Sequence, residues 1–197
     1  MKLLLASTSD ARRRMLENAG VPFEIVEAPF DEAAAKAGLR ASGFGPRDLA
    51  ERLAELKARS VMAGPDDLVI GADQTLELDE GAMLGKPASR EEAMSQLLRM
   101  SGRRHWLHSA AVALAGGERL WGETESVALT VRPLSDTFIA AYLDAEYESI
   151  HWSVGGYRIE GLGAQLFERI EGSHFAVLGL PLLPLLAFLR ERGILQS

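Results

Sequence analysis

The sequence predicts a mixed α/β fold, a partly parallel and partly antiparallel sheet flanked by helices, on three observations. Short aliphatic runs at residues 3–5 and 68–70 lie beside stretches of helical periodicity, the mark of buried strands. Two longer alternating segments, 105–114 and 120–131, are joined through Ala115-Gly116-Gly117-Glu118, which makes them an antiparallel pair. Strands and helices alternate, but hairpins interrupt the alternation, so the sheet is mixed and not purely doubly wound.

Taken in order, Leu3-Leu4-Leu5 is a strand ended by Ser7, Thr8 and Ser9. Ser9 reads as an N-cap, Ala11, Met15, Leu16 and Ala19 share a helical face, and Gly20 is the C′ stop. Arg12, Arg13 and Arg14 sit in the first turn of that helix. There the dipole is already positive and free N–H groups face outward, so cations are disfavoured unless an anion joins them. Phosphate is the obvious anion; a solvated arginine face is the alternative. The glycines and Lys-Ser/Thr pair of a P-loop are missing.

A second strand is expected at 21–26, then a turn, Ala28-Pro29-Phe30-Asp31-Glu32, that brings in two carboxylates. Residues 33–45, rich in Ala and Gly, read as a mobile connection. A helix follows from Pro46 to about Ala63 with Leu49, Ala50, Leu53 and Leu56 inward, and Lys57 by its position alone reads as solvated. The strand 68–73 ends in Asp73, at the edge where open α/β sheets bind ligands. Segments 75–78 and 82–84 flank Asp79-Glu80-Gly81 as a hairpin, and Gly85-Lys86-Pro87 then holds Lys86 in place. Ser89-Arg90-Glu91-Glu92 is a capping box for a helix ending near Met100.

Further on, Ser135 caps a helix through about Leu143, and a loop over 144–156 carries Trp152 and ends in Gly155-Gly156. A short strand is expected at 157–160, and a last helix takes Pro181 as N1 and stops at Gly193. His105 and His108 lie on a strand without metal-pair spacing and read as structural.

At 197 residues the chain is long enough for one domain, 1–197, with room for two lobes. A net charge of −7 argues against nucleic-acid or anionic-membrane partners and suits a small anionic ligand held by local basic clusters. With no cysteine the chain fits a reducing compartment. The apolar start is too short for a signal peptide, and the apolar run 177–189 is short and interrupted by two prolines, so the expected location is cytoplasmic.

Arginines on a helix N-terminus, a strand-end Asp73, a turn Glu32 and a fixed Lys86 form a kit for hydrolysing a phosphoanhydride. The cations balance a triphosphate, two carboxylates hold one Mg²⁺, and Asp73 orients or deprotonates the attacking water. No nucleophile is paired with a base, so direct attack by water is the simpler reading.

Together these residues resemble a known family. Ala6-Ser7-Thr8-Ser9 with Arg12-Arg13, Gly71-Ala72-Asp73, Gly85-Lys86-Pro87, Ser101-Gly102-Arg103 before His105, Gly155-Gly156-Tyr157, Glu160-Gly161, and Val177 through Gly179-Leu180-Pro181 are similar to the motifs of the Maf family of nucleoside triphosphate pyrophosphatases. Each motif is weak alone; the ordered set spans nearly the whole chain. The resemblance implies an elongated mixed sheet with two lobes around a cleft, related to inosine triphosphate pyrophosphatases. It implies cleavage between the α and β phosphates with a divalent cation, Mg²⁺ or Mn²⁺, and a homodimer. Position by position, Asp73 matches the catalytic acid, the proposed proton acceptor, and Glu32 and Asp73 match the metal-holding acids. Ser7, Ser9, Arg12, Arg13, Lys57 and Lys86 match phosphate-contacting positions.

Where the family usually has Ser-x-Ser-Pro-Arg-Arg, this chain has Ser7-Thr8-Ser9-Asp10-Ala11-Arg12. The Ala11 position, with Gln74 and Glu160, matches the residues that separate the family's branches. The dTTP/UTP branch has Arg, Thr and Gln there, and the 7-methyl-GTP branch has Trp, Gln and Glu. Gln74 and Glu160 agree with the second branch, and a carboxylate suits the cationic ring of 7-methylguanine, so 7-methyl-GTP is the expected substrate. A dTTP/UTP pyrophosphatase is the alternative within the family, a non-catalytic nucleotide-binding regulator of cell division the alternative outside it. Nucleotidyl transfer to a second substrate is a third reading.

Overall fold

The structure is a computed structural model that describes residues 2–196, with the side chain of Glu80 outside that description. In chain order the elements are β1 (Leu3–Ala6), α1 (Asp10–Asn18), β2 (Glu24–Ile25), α2 (Glu32–Ala41), α3 (Pro46–Ser60), β3 (Leu68–Glu77) and β4 (Met83–Leu84). They continue as α4 (Arg90–Met100), β5 (Arg104–Ala115), β6 (Glu118–Val131), α5 (Asp136–Ile150), β7 (Phe167–Glu171), α6 (His174–Val177) and α7 (Leu182–Glu191). One seven-stranded sheet runs β2-β1-β3-β5-β6-β7, with β4 also on β3. β1 pairs parallel with β2 and β3, whereas β4 on β3 and β7 on β6 are antiparallel. The mixed sheet expected from sequence is therefore the one observed. None of the described helices is long and apolar enough to cross a membrane.

The chain divides into two compact units. The first holds residues 1–74, 108–125 and 173–197. Its strands alternate between two cores, as a two-residue side-chain period requires. Leu3, Leu5, Ile70, Ala72, Ala111 and Ala113 face Met15 and Leu16 of α1 and Leu185 and Leu189 of α7. Leu4, Ala6, Val69, Ala110 and Val112 face Ala50, Ala54 and Ala58 of α3. Small residues line the second core, and α3 comes so close that a Cβ at Gly71 would lie 2.0 Å from the Ala54 carbonyl oxygen. Only glycine fits there.

The second unit holds residues 75–107 and 126–172. Leu76, Leu97, Met100, Leu107, Leu129, Ile139 and Leu143 are buried within it. The turn expected to end in Gly155-Gly156 needs both glycines, with φ of 77° and 67°.

Several boundaries differ from the sequence reading. The 21–26 strand contracts to Glu24–Ile25. Residues 33–45 are not a mobile connection: most form α2, with Asp31 as N-cap accepting from the Ala34 N–H at 2.9 Å. α3 stops at Ser60, and Leu56 is 36% exposed rather than inward. β3 runs on through Asp73 to Glu77, so Asp73 lies inside the strand and not at its end. α5 extends to Ile150 and absorbs the first half of the expected 144–156 loop. Residues 157–160 are not a strand; the strand of that region is β7. Pro181 is the N-cap of α7, one place before N1.

Candidate active site

Within β3, Val69, Gly71 and Asp73 share the face packed by α3, while Ile70, Ala72 and Gln74 point the other way. The contact at Gly71 lays α3 on the strand, and Lys57, one turn along from Ala54, reaches Asp73. Lys57 Nζ donates to Asp73 Oδ1 and pairs with Glu32 Oε2 at 2.7 Å. Side-chain exposure falls from 44% at Glu32 to 13% at Lys57 and 7% at Asp73, so the cluster opens outward through Glu32. Lys57 is therefore not solvated. Glu32 reaches it because the Asp31 cap starts α2 at Glu32 itself.

Burial holds the Asp73 carboxyl above the ordinary carboxylate range; the charges of Lys57 and Arg12 pull the other way and that of Glu32 adds to the rise. Arg12 is buried too, which lowers its own pKa against the raising effect of Asp73 and Glu32. Its Nε donates to Gly179 O at 2.8 Å, and its Nη1 to Ala72 O at 3.1 Å and Ser7 Oγ at 3.3 Å. Ser7 Oγ also accepts from the Ser9 N–H at 3.3 Å, and Ser9 Oγ from the Arg12 N–H at 3.5 Å as the expected N-cap. The β1–α1 turn, the middle of β3 and the turn after α6 are thus tied to one guanidinium.

The three arginines have three different fates. Arg12 is interior, Arg14 is exposed, and Arg13 pairs with Asp10 at 3.0 Å and Glu17 at 3.2 Å on its own helix. On the opposite face of β3, Gln74 Nε2 lies within donor distance of Ser109 Oγ at 2.9 Å and of Ala176 O and Val177 O at 3.0 Å. Ser109 Oγ donates to Ala176 O at 2.6 Å. Sequence reading passed over Ser109, although a serine among apolar residues in the run Ser109-Ala110-Ala111-Val112 is the signal that could have found it.

Ser7, Ser9, Ala11, Arg12, Arg13, Glu32, Lys57, Asp73 and Gln74 all belong to the first unit, Lys86 and Glu160 to the second, where both are exposed. The backbone before Lys86 takes a bond from the Gly155 N–H to Gly85 O at 3.3 Å. His105 meets the Tyr157 hydroxyl at 2.7 Å through Nε2 inside the second unit, in keeping with a structural role. Among the described residues no three His, Asp or Glu side chains converge as a ready metal cage. Glu32 and Asp73 nevertheless fit a hard divalent cation, because two carboxylates meet at one cationic atom and leave further positions to water or phosphate.

A nucleoside triphosphate pyrophosphatase of Sphingopyxis alaskensis is 50% identical over 195 residues, 98% of each chain. Another of Caulobacter vibrioides is 50% identical over 191 residues, 97% of this chain and 96% of its own. The Staphylococcus aureus Ham1 protein structure aligns with a TM-score of 0.43 at 16% identity, over 66% of this chain and 72% of that one. The Maf-like protein family matches residues 2–192, and on that match this chain, with its Asp73–Lys57–Glu32 cluster, belongs to the Maf family.

Proposed function

We propose that the protein hydrolyses a nucleoside triphosphate between its α and β phosphates, releasing the monophosphate and pyrophosphate. The observation that carries this reading is the buried Asp73, its pKa raised by burial, beside Lys57, Arg12 and Glu32. The names of its relatives agree with it.

Asp73 takes the proton of the attacking water; a carboxylate with a raised pKa is a better base than an ordinary one. Lys57 supplies a positive charge to the phosphates and Arg12 fixes the surrounding backbone, while Ser7 and Ser9 frame the N-terminus of α1. Lys86, in the second unit, matches a phosphate-contacting position by resemblance. Glu32 and Asp73 would hold a divalent cation, Mg²⁺ or Mn²⁺, which when bound neutralises phosphate charge. The leading substrate is 7-methyl-GTP, supported by Gln74 and by Glu160, whose carboxylate would favour a cationic base over a neutral one. We place the activity in the cytoplasm.

Pyrophosphate release from a nucleotide panel with Mg²⁺ tests the reading. Wild type turns over and yields monophosphate and pyrophosphate in equal amounts, and Asp73→Asn loses about 10²–10⁴-fold in kcat. Binding without turnover in both forms makes the protein a regulator instead. Higher kcat/KM for dTTP or UTP than for 7-methyl-GTP ends the substrate assignment alone.

A further inference from the structure

The atom between the two carboxylates is an ammonium nitrogen of the chain itself. Lys57 Nζ bonds to Asp73 Oδ1 and lies 2.7 Å from Glu32 Oε2, so it occupies the space where both acids can reach a single cation. It is held there from α3, whose approach to β3 is set by the close contact at Gly71. Two carboxylates this close, one of them buried, need a positive charge between them. A divalent ion at about 2.1 Å from the same oxygens and an ammonium at hydrogen-bond distance cannot share that space, and their charges repel.

We propose that Lys57 is an internal counter-cation that holds the divalent-cation position of the free enzyme and must leave it before a metal ion binds. Metal uptake is then coupled to the arrival of a polyphosphate, which takes over the displaced ammonium. This rests on the reading that Glu32 and Asp73 hold the cation. The free protein binds a divalent ion weakly, and metal and triphosphate favour each other's binding.

The test uses Mn²⁺ alone, titrated into the intact protein and followed by the paramagnetic resonance of the free ion. Lys57→Met binds Mn²⁺ at least about tenfold more tightly than wild type, Lys57→Arg stays weak, and Glu32→Gln in the Lys57→Met background abolishes the gain. Equal or weaker binding by Lys57→Met overturns the proposal, as does a gain that survives Glu32→Gln. A wild-type measurement serves if Lys57→Met does not fold. Mn²⁺ raises the rate at which an amine-acylating reagent modifies Lys57, read by peptide mass mapping; an unchanged or lower rate overturns the idea. Pyrophosphate release at saturating Mg²⁺ judges the hydrolase reading separately, since turnover can persist with Mn²⁺ affinity unaffected by Lys57.

Discussion

The two units handle buried ionisable groups in opposite ways. In the first, Lys57 pairs with Asp73, and the buried Arg12 donates to the carbonyls of Gly179 and Ala72. In the second, His105 is buried against Tyr157 and Phe167, and burial alone pushes its pKa down to about 4, so the ring is neutral at physiological pH. Burial also raises the Tyr157 hydroxyl, which keeps its proton. The opposed groups of the first unit are those proposed above as proton acceptor and counter-cation. A cluster that goes neutral has given up its charge and contributes shape and stability instead.

Removing Arg12 breaks the contrast most severely. Arg12→Leu takes the guanidinium donor from Gly179 O and Ala72 O, leaves Ser7 Oγ with the Ser9 N–H, and leaves Asp73 with one fewer cation. A buried bond to a charged group contributes about 1.5–3 kcal/mol, so the loss is on the order of 3 kcal/mol or more, measured by urea unfolding. Arg12→Lys recovers part of the charge and little of the bonding, since an ammonium cannot reproduce the fork. A loss below about 1 kcal/mol for Arg12→Leu would mean that the guanidinium does not hold the turn after α6 in place.

The second unit answers to pH. His105 has a folded pKa of about 4 against an unfolded value near 6.5, so between these values the unfolded chain binds the extra proton. The stability of the neutral ring is complete above about pH 6.5 and is lost as pH falls through the window, at most about 3 kcal/mol in total. His105→Gln removes that part of the acid limb. Stability curves of wild type and variant from pH 7 to pH 4 should converge as acid is added; curves that stay parallel refute the assignment.

What the sequence made legible was local. Ser9, Ser89 and Ser135 cap the helices they were expected to cap, because a cap and its N–H are three residues apart. The mixed sheet followed from hairpins and aliphatic runs of the same short range. Arg12 was named as an anion-site residue, but its burial was not foreseen, since its strongest partner is a carbonyl at Gly179 far along the chain. From its position on α3 alone Lys57 reads as solvated, because its partners come from α2 and β3 and not from α3. The glycine and alanines of α2 hide it in the sequence, although Asp31 begins it with an ordinary cap. Sequence alone ends β3 at Asp73, because an acid inside a buried strand makes sense only with Lys57 against it.

The smallest effect is expected one residue after Arg12. Arg13 was grouped with Arg12 by resemblance, yet its guanidinium pairs with Asp10 and Glu17 on the surface of α1. Surface pairs of this spacing add little and are screened by salt, so Arg13→Ala leaves the thermal midpoint within about 2 °C of wild type. A contact with the triphosphate would require Arg13 to exchange those acids for phosphate, and it would appear in KM and not in stability. Measured at low and moderate salt, Arg13→Ala then raises KM for the nucleotide with the midpoint unmoved. An unchanged KM at both salts removes Arg13 from the phosphate-contacting set and leaves Arg12 as the first-turn arginine that matters.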